Sequence, residues 1–154
     1  MKILYLTKKG PTLTGSGTYR DTVLNEMAKR HKIKVFETDA DLNEDWDIVH
    51  VLDIKHLNPE IINRIRSPLL IEIHDYQWMH FQPFVAVDLP VRFLLQKYRK
   101  HKYSRIINRA DGIIAHSNYV LERISHPNKY LVTIGIAPSV FETPSITKPS
   151  SNNI

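Results

Sequence analysis

The stretch from Arg109 to Val120 reads RADGIIAHSNYV and joins a short apolar run to the start of a helix. The run from Asp111 to His116 predicts a buried strand, because it is short, apolar and bounded by polar residues. Ser117 follows directly and is a favourable N-cap residue for a helix over residues 118–125. The stretch therefore predicts a strand–helix unit, the repeating element of parallel sheets.

The same alternation of strands and helices extends over most of the chain. It predicts a single doubly wound, Rossmann-like α/β domain over residues 1–140, with a parallel sheet of about six strands and helices on both faces. Residues 141–154 have the composition of a tail or linker. The other predicted strands are Ile3–Thr7, Ile33–Thr38, Asp47–Asp53, Pro68–His74 and Tyr130–Ile136, and the other predicted helices are Thr18–Arg30, Pro59–Arg66 and Pro90–Arg109.

Composition limits the classes of protein that this chain can represent. Its 154 residues suit one domain, and 42% hydrophobic with 24% charged residues are typical of a globular protein. The absence of cysteine excludes disulfides and thiolate metal sites. A net charge of +5 favours anionic partners. The chain begins with its first strand and has no leader-like segment, so a cytoplasmic location is expected.

Glycines and a serine open the first predicted helix. Backbone N–H groups at Gly15, Ser16 and Gly17 could bind a phosphate, since a helix N-terminus attracts anions. A dinucleotide-binding motif, with Glu37 on the ribose, is the less favoured alternative, because Arg20 stands where that motif needs a small residue. A flexible loop whose glycines serve turn geometry alone is the other alternative.

Histidines occur at the end of one predicted strand and within another. His74, followed by Asp75, comes directly after an apolar strand, where the ring would face the ligand-binding crevice at the carboxyl edge of the sheet. His74 could equally cap the strand or bond a neighbouring backbone group, and Asp75 could orient it or form a turn. His50 shares a strand face with Ile48 and Leu52, which favours a role in the core.

Three further positions lie near the ends of the last two predicted strands. Ser117, Tyr119 and Gly135 are candidate substrate contacts, although N-capping alone accounts for Ser117. The eight histidines are scattered along the sequence, so no metal site is predicted. Nucleophile-elbow and Walker motifs are absent from the sequence.

These features, in their order and spacing, resemble the N-terminal half of GT-B-fold glycosyltransferases of family four. The resemblance covers residues 1–138 and rests on the glycine-rich loop, the strand Asp47–Val51, the pair His74–Asp75 and, most specifically, the run Arg109–Val120. It implies an acceptor-side domain of an enzyme that transfers a sugar with retention of configuration from a nucleotide-sugar to a sugar or lipid-linked acceptor. It also implies that no metal and no further cofactor takes part, and that the ligand is not a nucleic acid.

The resemblance implies roles for individual residues. Gly15 and Gly17 would approach the donor diphosphate, His74 would lie near the transferred sugar, and Arg20 would be a weaker candidate for an anionic group. The chain departs from the family at residues 134–138, which read IGIAP where the family usually has Asn-Gly-Val-Asp. It also lacks the second sheet and the paired glutamates that bind the donor.

Two hypotheses follow from the missing donor half. Either a separate donor-binding chain or a second copy completes the enzyme, or the domain is a catalytically silent module that binds a sugar or nucleotide. The predicted helix over residues 92–109 carries a row of basic side chains, which could contact an anionic membrane or simply form a solvated outer face.

Overall fold

A computed structural model of the chain describes residues 1–7, 15–52, 54, 58–74 and 89–133. Within these residues, six strands alternate with four α-helices and one 3₁₀ helix. The strands are β1 Lys2–Leu6, β2 Lys32–Val35, β3 Ile48–Val51, β4 Leu69–Ile73, β5 Gly112–Ala115 and β6 Lys129–Leu131. The helices are α1 Gly15–Ala28, α2 Pro59–Arg64, α3 Leu89–Arg109 and α4 Asn118–Arg123, and the 3₁₀ helix is Asp39–Asn43.

The strands form one parallel sheet in the order β2-β1-β3-β4-β5-β6. This arrangement confirms the predicted fold class, an α/β domain with a six-stranded parallel sheet. Because β1 lies between β2 and β3, the chain reverses its direction of travel across the sheet at β1. Ligands of such sheets bind outside the carboxyl ends of the strands, near this reversal.

Apolar side chains cover both faces of the sheet. On one face, Ile3 and Tyr5 of β1 pack with Leu52 against Val23 and Leu24 of α1. The other face carries the larger core, which includes Leu4, Leu6, Val49, Val51, Leu69, Ile71, Ile73 and Ile113 together with Tyr103, Ile106 and Ile107 of α3. Alternation along the strands therefore places Tyr5, His50 and Glu72 on the α1 face.

The acidic linker between β2 and β3 forms the 3₁₀ helix. Asp41 is buried and accepts hydrogen bonds from Lys34 and from the backbone N–H groups of Thr38 and Glu37. These hydrogen bonds, that of Lys34 first, lower the pKa of Asp41 to about 2. Trp46 donates its indole N–H to the Asp41 carbonyl at 2.7 Å, which ties the linker to the core.

The ends of several elements differ from the sequence prediction. Helix α1 begins at Gly15, three residues before the predicted start at Thr18, so the glycines lie inside its first turn. Strand β2 ends at Val35, short of the predicted Thr38. Among the residues described, no helix is both long enough and apolar enough to cross a bilayer.

The predicted N-cap of α4 is confirmed. Ser117 has extended backbone angles of φ −149° and ψ 152°, and its Oγ accepts a hydrogen bond from the N–H of Val120. We expect Ser117→Ala to lower the free energy of unfolding by about 1 kcal/mol, because the N–H group loses its acceptor. Urea denaturation measures this loss, and Ser125→Ala, at an exposed position after the helix, is the matched control. Equal effects of the two substitutions would contradict the capping role.

Candidate functional site

A glutamate lies inside the central apolar strand of the sheet. Glu72 is the fourth residue of β4 and only 3% exposed. A carboxylate at such a position needs hydrogen-bond or charged partners, because burial removes its hydration.

Three histidines supply these partners. Nε2 of His50 lies 2.9 Å from Oε1 of Glu72, and Nε2 of His74 and of His116 lie 3.4 Å and 3.3 Å from Oε2. His50 belongs to β3, whereas His74 and His116 directly follow β4 and β5. We call these four residues the histidine–glutamate cluster. The histidines are far apart in the sequence, but neighbouring parallel strands bring three of them to one carboxylate. Their scattered positions in the sequence therefore do not mean that they lie apart in the structure.

Two of the histidines are also fixed by the backbone. Nε2 of His74 donates to the carbonyl of Leu52 at 2.9 Å, as one of the sequence alternatives proposed. Nδ1 of His116 donates to the carbonyl of Val132 at 2.7 Å, while its Nε2 faces Glu72. Both nitrogens of His116 thus face acceptors, an arrangement that favours the doubly protonated, cationic ring.

Interactions within the cluster shift the pKa values of Glu72 and His116. Burial alone would raise the pKa of Glu72, but its close interactions with His116, His50 and His74 outweigh burial and hold that pKa far below the usual range. Burial alone would lower the pKa of His116, but its hydrogen bonds to Glu72 and to the Val132 carbonyl raise it overall. The cluster therefore favours the ionised carboxylate of Glu72 and the protonated ring of His116.

His50 lies closer to the carboxylate of Glu72 than the other two histidines do, but its ring is less well directed for a hydrogen bond. Its Nε2 is 2.9 Å from Oε1 of Glu72, yet the ring is not aligned for a hydrogen bond within the described residues. The position of His50 in the core, on the same face as Leu52 and Ile48, agrees with the prediction from alternation.

Two tyrosines pack against the cluster. The ring of Tyr19, on α1, lies edge-on to His74 and His116 at centroid distances of 5.1 and 5.4 Å. Burial, and then the charge of Glu72, raises the pKa of Tyr19 and also that of Tyr5, the latter to about 12. Both phenols are therefore neutral. The buried hydroxyl of Tyr5 has no hydrogen-bond partner among the described residues, and its ring is 5.1 Å from His50.

The contact with Tyr19 brings the first turns of α1 next to the cluster. Gly15 and Ser16 open this helix, and Gly17 is buried. The structure thus brings the glycine turn and His74 to the same edge of the sheet. Arg20, in the same part of α1, forms an ion pair with Asp21 at 2.7 Å.

Other predicted site residues have local roles or lie elsewhere. Ser117 caps α4, and Tyr119 is 44% exposed with the guanidinium of Arg123 stacked 3.4 Å from its ring centre. Asp75 and Gly135 lie outside the described residues, so their predicted roles stay predictions.

Helix α3 carries the predicted basic face. It buries Tyr103, Ile106 and Ile107, whereas Leu94 and Tyr98, nearer its N-terminus, are 64% and 66% exposed. Its exposed side includes four cations, Lys97, Arg99, Lys100 and Arg105. This arrangement suits a solvated outer face as well as an anionic surface.

Sequence reasoning missed Glu72 and the partnership of His116 with it. A signal was present in both cases. A single charge within the run LLIEI of a buried strand must find a partner, and His116 occupies the position after β5 that His74 occupies after β4.

No protein-family model and no curated protein sequence matches the chain. Among solved structures, the chain is similar to an alpha-glucosyltransferase in complex with UDP and a 13-mer DNA containing a central A:G mismatch. The two are 14% identical with a TM-score of 0.48, and the match covers 77% of this chain. The match covers 37% of that chain, so this sequence spans little more than a third of that protein's length.

Proposed function

We propose that the chain is a glycosyltransferase-like domain that acts in the transfer of a sugar from a nucleotide-sugar to an acceptor. The observation that supports this proposal is the position of the histidine–glutamate cluster. It lies at the carboxyl edge of a parallel sheet, where such sheets bind ligands, and directly beside the first turns of α1.

In the proposed reaction, the first turn of α1 and His74 have separate roles. Departure of a nucleoside diphosphate places negative charge on the phosphate oxygens. The backbone N–H groups of Gly15 and Gly17, at the positive end of α1, would stabilise that charge. His74 would contact the transferred sugar, because its Nε2 is held by the Leu52 carbonyl while its Nδ1 has no partner among the described residues.

The proposal includes a donor-binding domain. In the family that the sequence resembles, a second domain binds the nucleotide-sugar, and we propose that such a domain acts together with this one. A binding module without catalysis is the second candidate. It is favoured by the cluster itself, because Nε2 of all three histidines faces Glu72 and none of these nitrogens is left as a free base.

Calorimetric titration with UDP, GDP and their sugars tests the crevice. We expect His74→Ala and Gly17→Val to weaken the binding of the preferred nucleotide-sugar about tenfold or more. The reason is that the first removes the contact to the sugar and the second crowds a buried position at the helix start. His101→Ala, on the exposed side of α3, is the matched control and is expected to bind like the wild type.

The outcomes separate the two candidates. Binding that responds to His74→Ala, together with release of nucleoside diphosphate once acceptor glycosides and a donor domain are added, supports the transferase. Binding without any release supports the silent module. If no nucleotide binds, or if both variants bind like the control, the proposal is wrong.

A further inference from the structure

We propose that Glu72, His74 and His116 form a binding site for a transition-metal ion, with Zn²⁺ as the expected ion. This proposal does not rest on the proposed function. It differs from the metal-free site that the family resemblance implies, and it assigns His74 a different partner.

The first argument is distance. Each of the three residues offers one ligand atom, and these atoms all lie within 4.8 Å of one another. Zinc binds imidazole nitrogen at about 2.0–2.1 Å and carboxylate oxygen at about 2.0–2.2 Å, so two ligands of a tetrahedral ion lie about 3.4 Å apart. Oε2 of Glu72 is already 3.4 Å from Nε2 of His74 and 3.3 Å from Nε2 of His116. Side-chain shifts of about an ångström would complete the triangle.

The second argument is the way in which the ligand atoms are oriented. A metal-binding histidine usually donates its other N–H to a backbone carbonyl or carboxylate. His116 does so, with Nδ1 bonded to the Val132 carbonyl and Nε2 directed to Glu72. His50 lies 2.9 Å from Oε1, the other carboxylate oxygen, and so leaves Oε2 to the ion.

The third argument is the chemistry of the donors. Two imidazole nitrogens and one carboxylate oxygen suit Zn²⁺ and its transition-metal neighbours better than Mg²⁺ or Ca²⁺, which prefer oxygen. Three protein ligands leave the fourth position of a tetrahedral ion for water or a ligand oxygen, as in catalytic rather than structural zinc sites. The ring of Tyr19 packs against both histidines of the proposed site, His74 and His116.

An ion at this site has to replace existing interactions. It would take the place of the proton between Nε2 of His116 and Glu72, and of the hydrogen bond from Nε2 of His74 to the Leu52 carbonyl. The buried carboxylate of Glu72 provides the negative charge that offsets a divalent cation.

Calorimetric titration of the full chain, stripped of metal with a chelator, tests the proposal. We expect one Zn²⁺ to bind per chain and Mg²⁺ not to bind. His116→Gln is expected to weaken Zn²⁺ binding at least tenfold, whereas His101→Gln, at an exposed histidine of α3, leaves it unchanged. Far-UV circular dichroism checks that each variant folds.

Two further measurements keep the test decisive if His116→Gln does not fold. His74 is partly exposed, so His74→Gln should fold and also weaken Zn²⁺ binding. Co²⁺ added to the wild-type chain should give the visible absorption of a tetrahedral site. The proposal is overturned if the wild type binds no Zn²⁺, if the folded site variants bind like His101→Gln, or if Co²⁺ shows only the spectrum of the hydrated ion.

The two proposals can fail separately. Nucleotide-sugar binding that persists in the presence of chelator, without any Zn²⁺ binding, removes the metal site alone. Stoichiometric Zn²⁺ binding without affinity for any nucleotide removes the transferase alone.

Discussion

Glu72→Gln is expected to lower the free energy of unfolding by about 3 kcal/mol, because it breaks a buried charge network by removing one partner. Glu72 is 3% exposed, and its carboxylate is the group on which His50, His74 and His116 converge. The amide of glutamine is neutral and presents an N–H donor where two oxygens accepted. The cation of His116 is then left without its counter-charge.

Urea denaturation at neutral pH, followed by far-UV circular dichroism, measures this loss. The matched control is Glu122→Gln on the exposed surface of α4, where a change within about 0.5 kcal/mol is expected. A variant Glu72→Gln as stable as this control would show that the cluster does not carry a buried charge network. The same variant should also lose Zn²⁺ binding, which links this measurement to the proposed metal site.

Much of the fold follows from local sequence patterns. Short apolar runs predicted all six strands, and the N-cap preference of Ser117 predicted the start of α4. The position of His74 at the carboxyl edge follows from its place directly after an apolar strand. Alternation along β3 placed His50 in the core correctly.

The cluster itself could not be predicted in the same way. It depends on which strands are neighbours and on their register, and neither is a local property of the chain. The register pairs Glu72 of β4 with Ile114 of β5, and His50 of β3 with Leu70 of β4. This pairing brings His116, only two residues beyond Ile114, next to Glu72. Each histidine had an ordinary local explanation until the sheet placed it beside the same carboxylate.

The start of α1 illustrates a second limit. The glycines at 15 and 17 were expected in a glycine-rich turn that leads into a helix beginning at Thr18. The structure places them in the first turn, where Tyr19 contacts His74 and His116. We attribute the earlier start of the helix to this packing, because tertiary contacts supply most of the stability of helices in proteins.

Stability is expected to fall as the pH rises from 6.5 through the raised pKa of folded His116, because His116 then loses its proton. Its ordinary pKa is 6.5, and the folded chain raises it through the hydrogen bonds to Glu72 and to the Val132 carbonyl, which outweigh burial. A raised pKa in the folded state means that the folded chain holds the proton more tightly than the unfolded chain does. The stabilisation is therefore complete below 6.5 and is lost as the pH passes through the folded pKa of His116.

Glu72 and Tyr19, which face His116, keep their own charge states over the pH range in which His116 loses its proton. Glu72 remains ionised throughout the window, because its own pKa lies far below the usual range. Tyr19 remains neutral, because burial first and then Glu72 raise its pKa. His74 packs against the ring of His116 at a centroid distance of 4.6 Å.

Urea midpoints measured at about pH 6 and about pH 9 test this expectation. The midpoint of the wild type should be lower at the higher pH, whereas that of His116→Gln should change less, because glutamine does not titrate. His101→Gln, at an exposed position of α3, should follow the wild type. A midpoint that rises with pH, or the same fall in wild type and His116→Gln, would mean that the proton on His116 does not stabilise the fold.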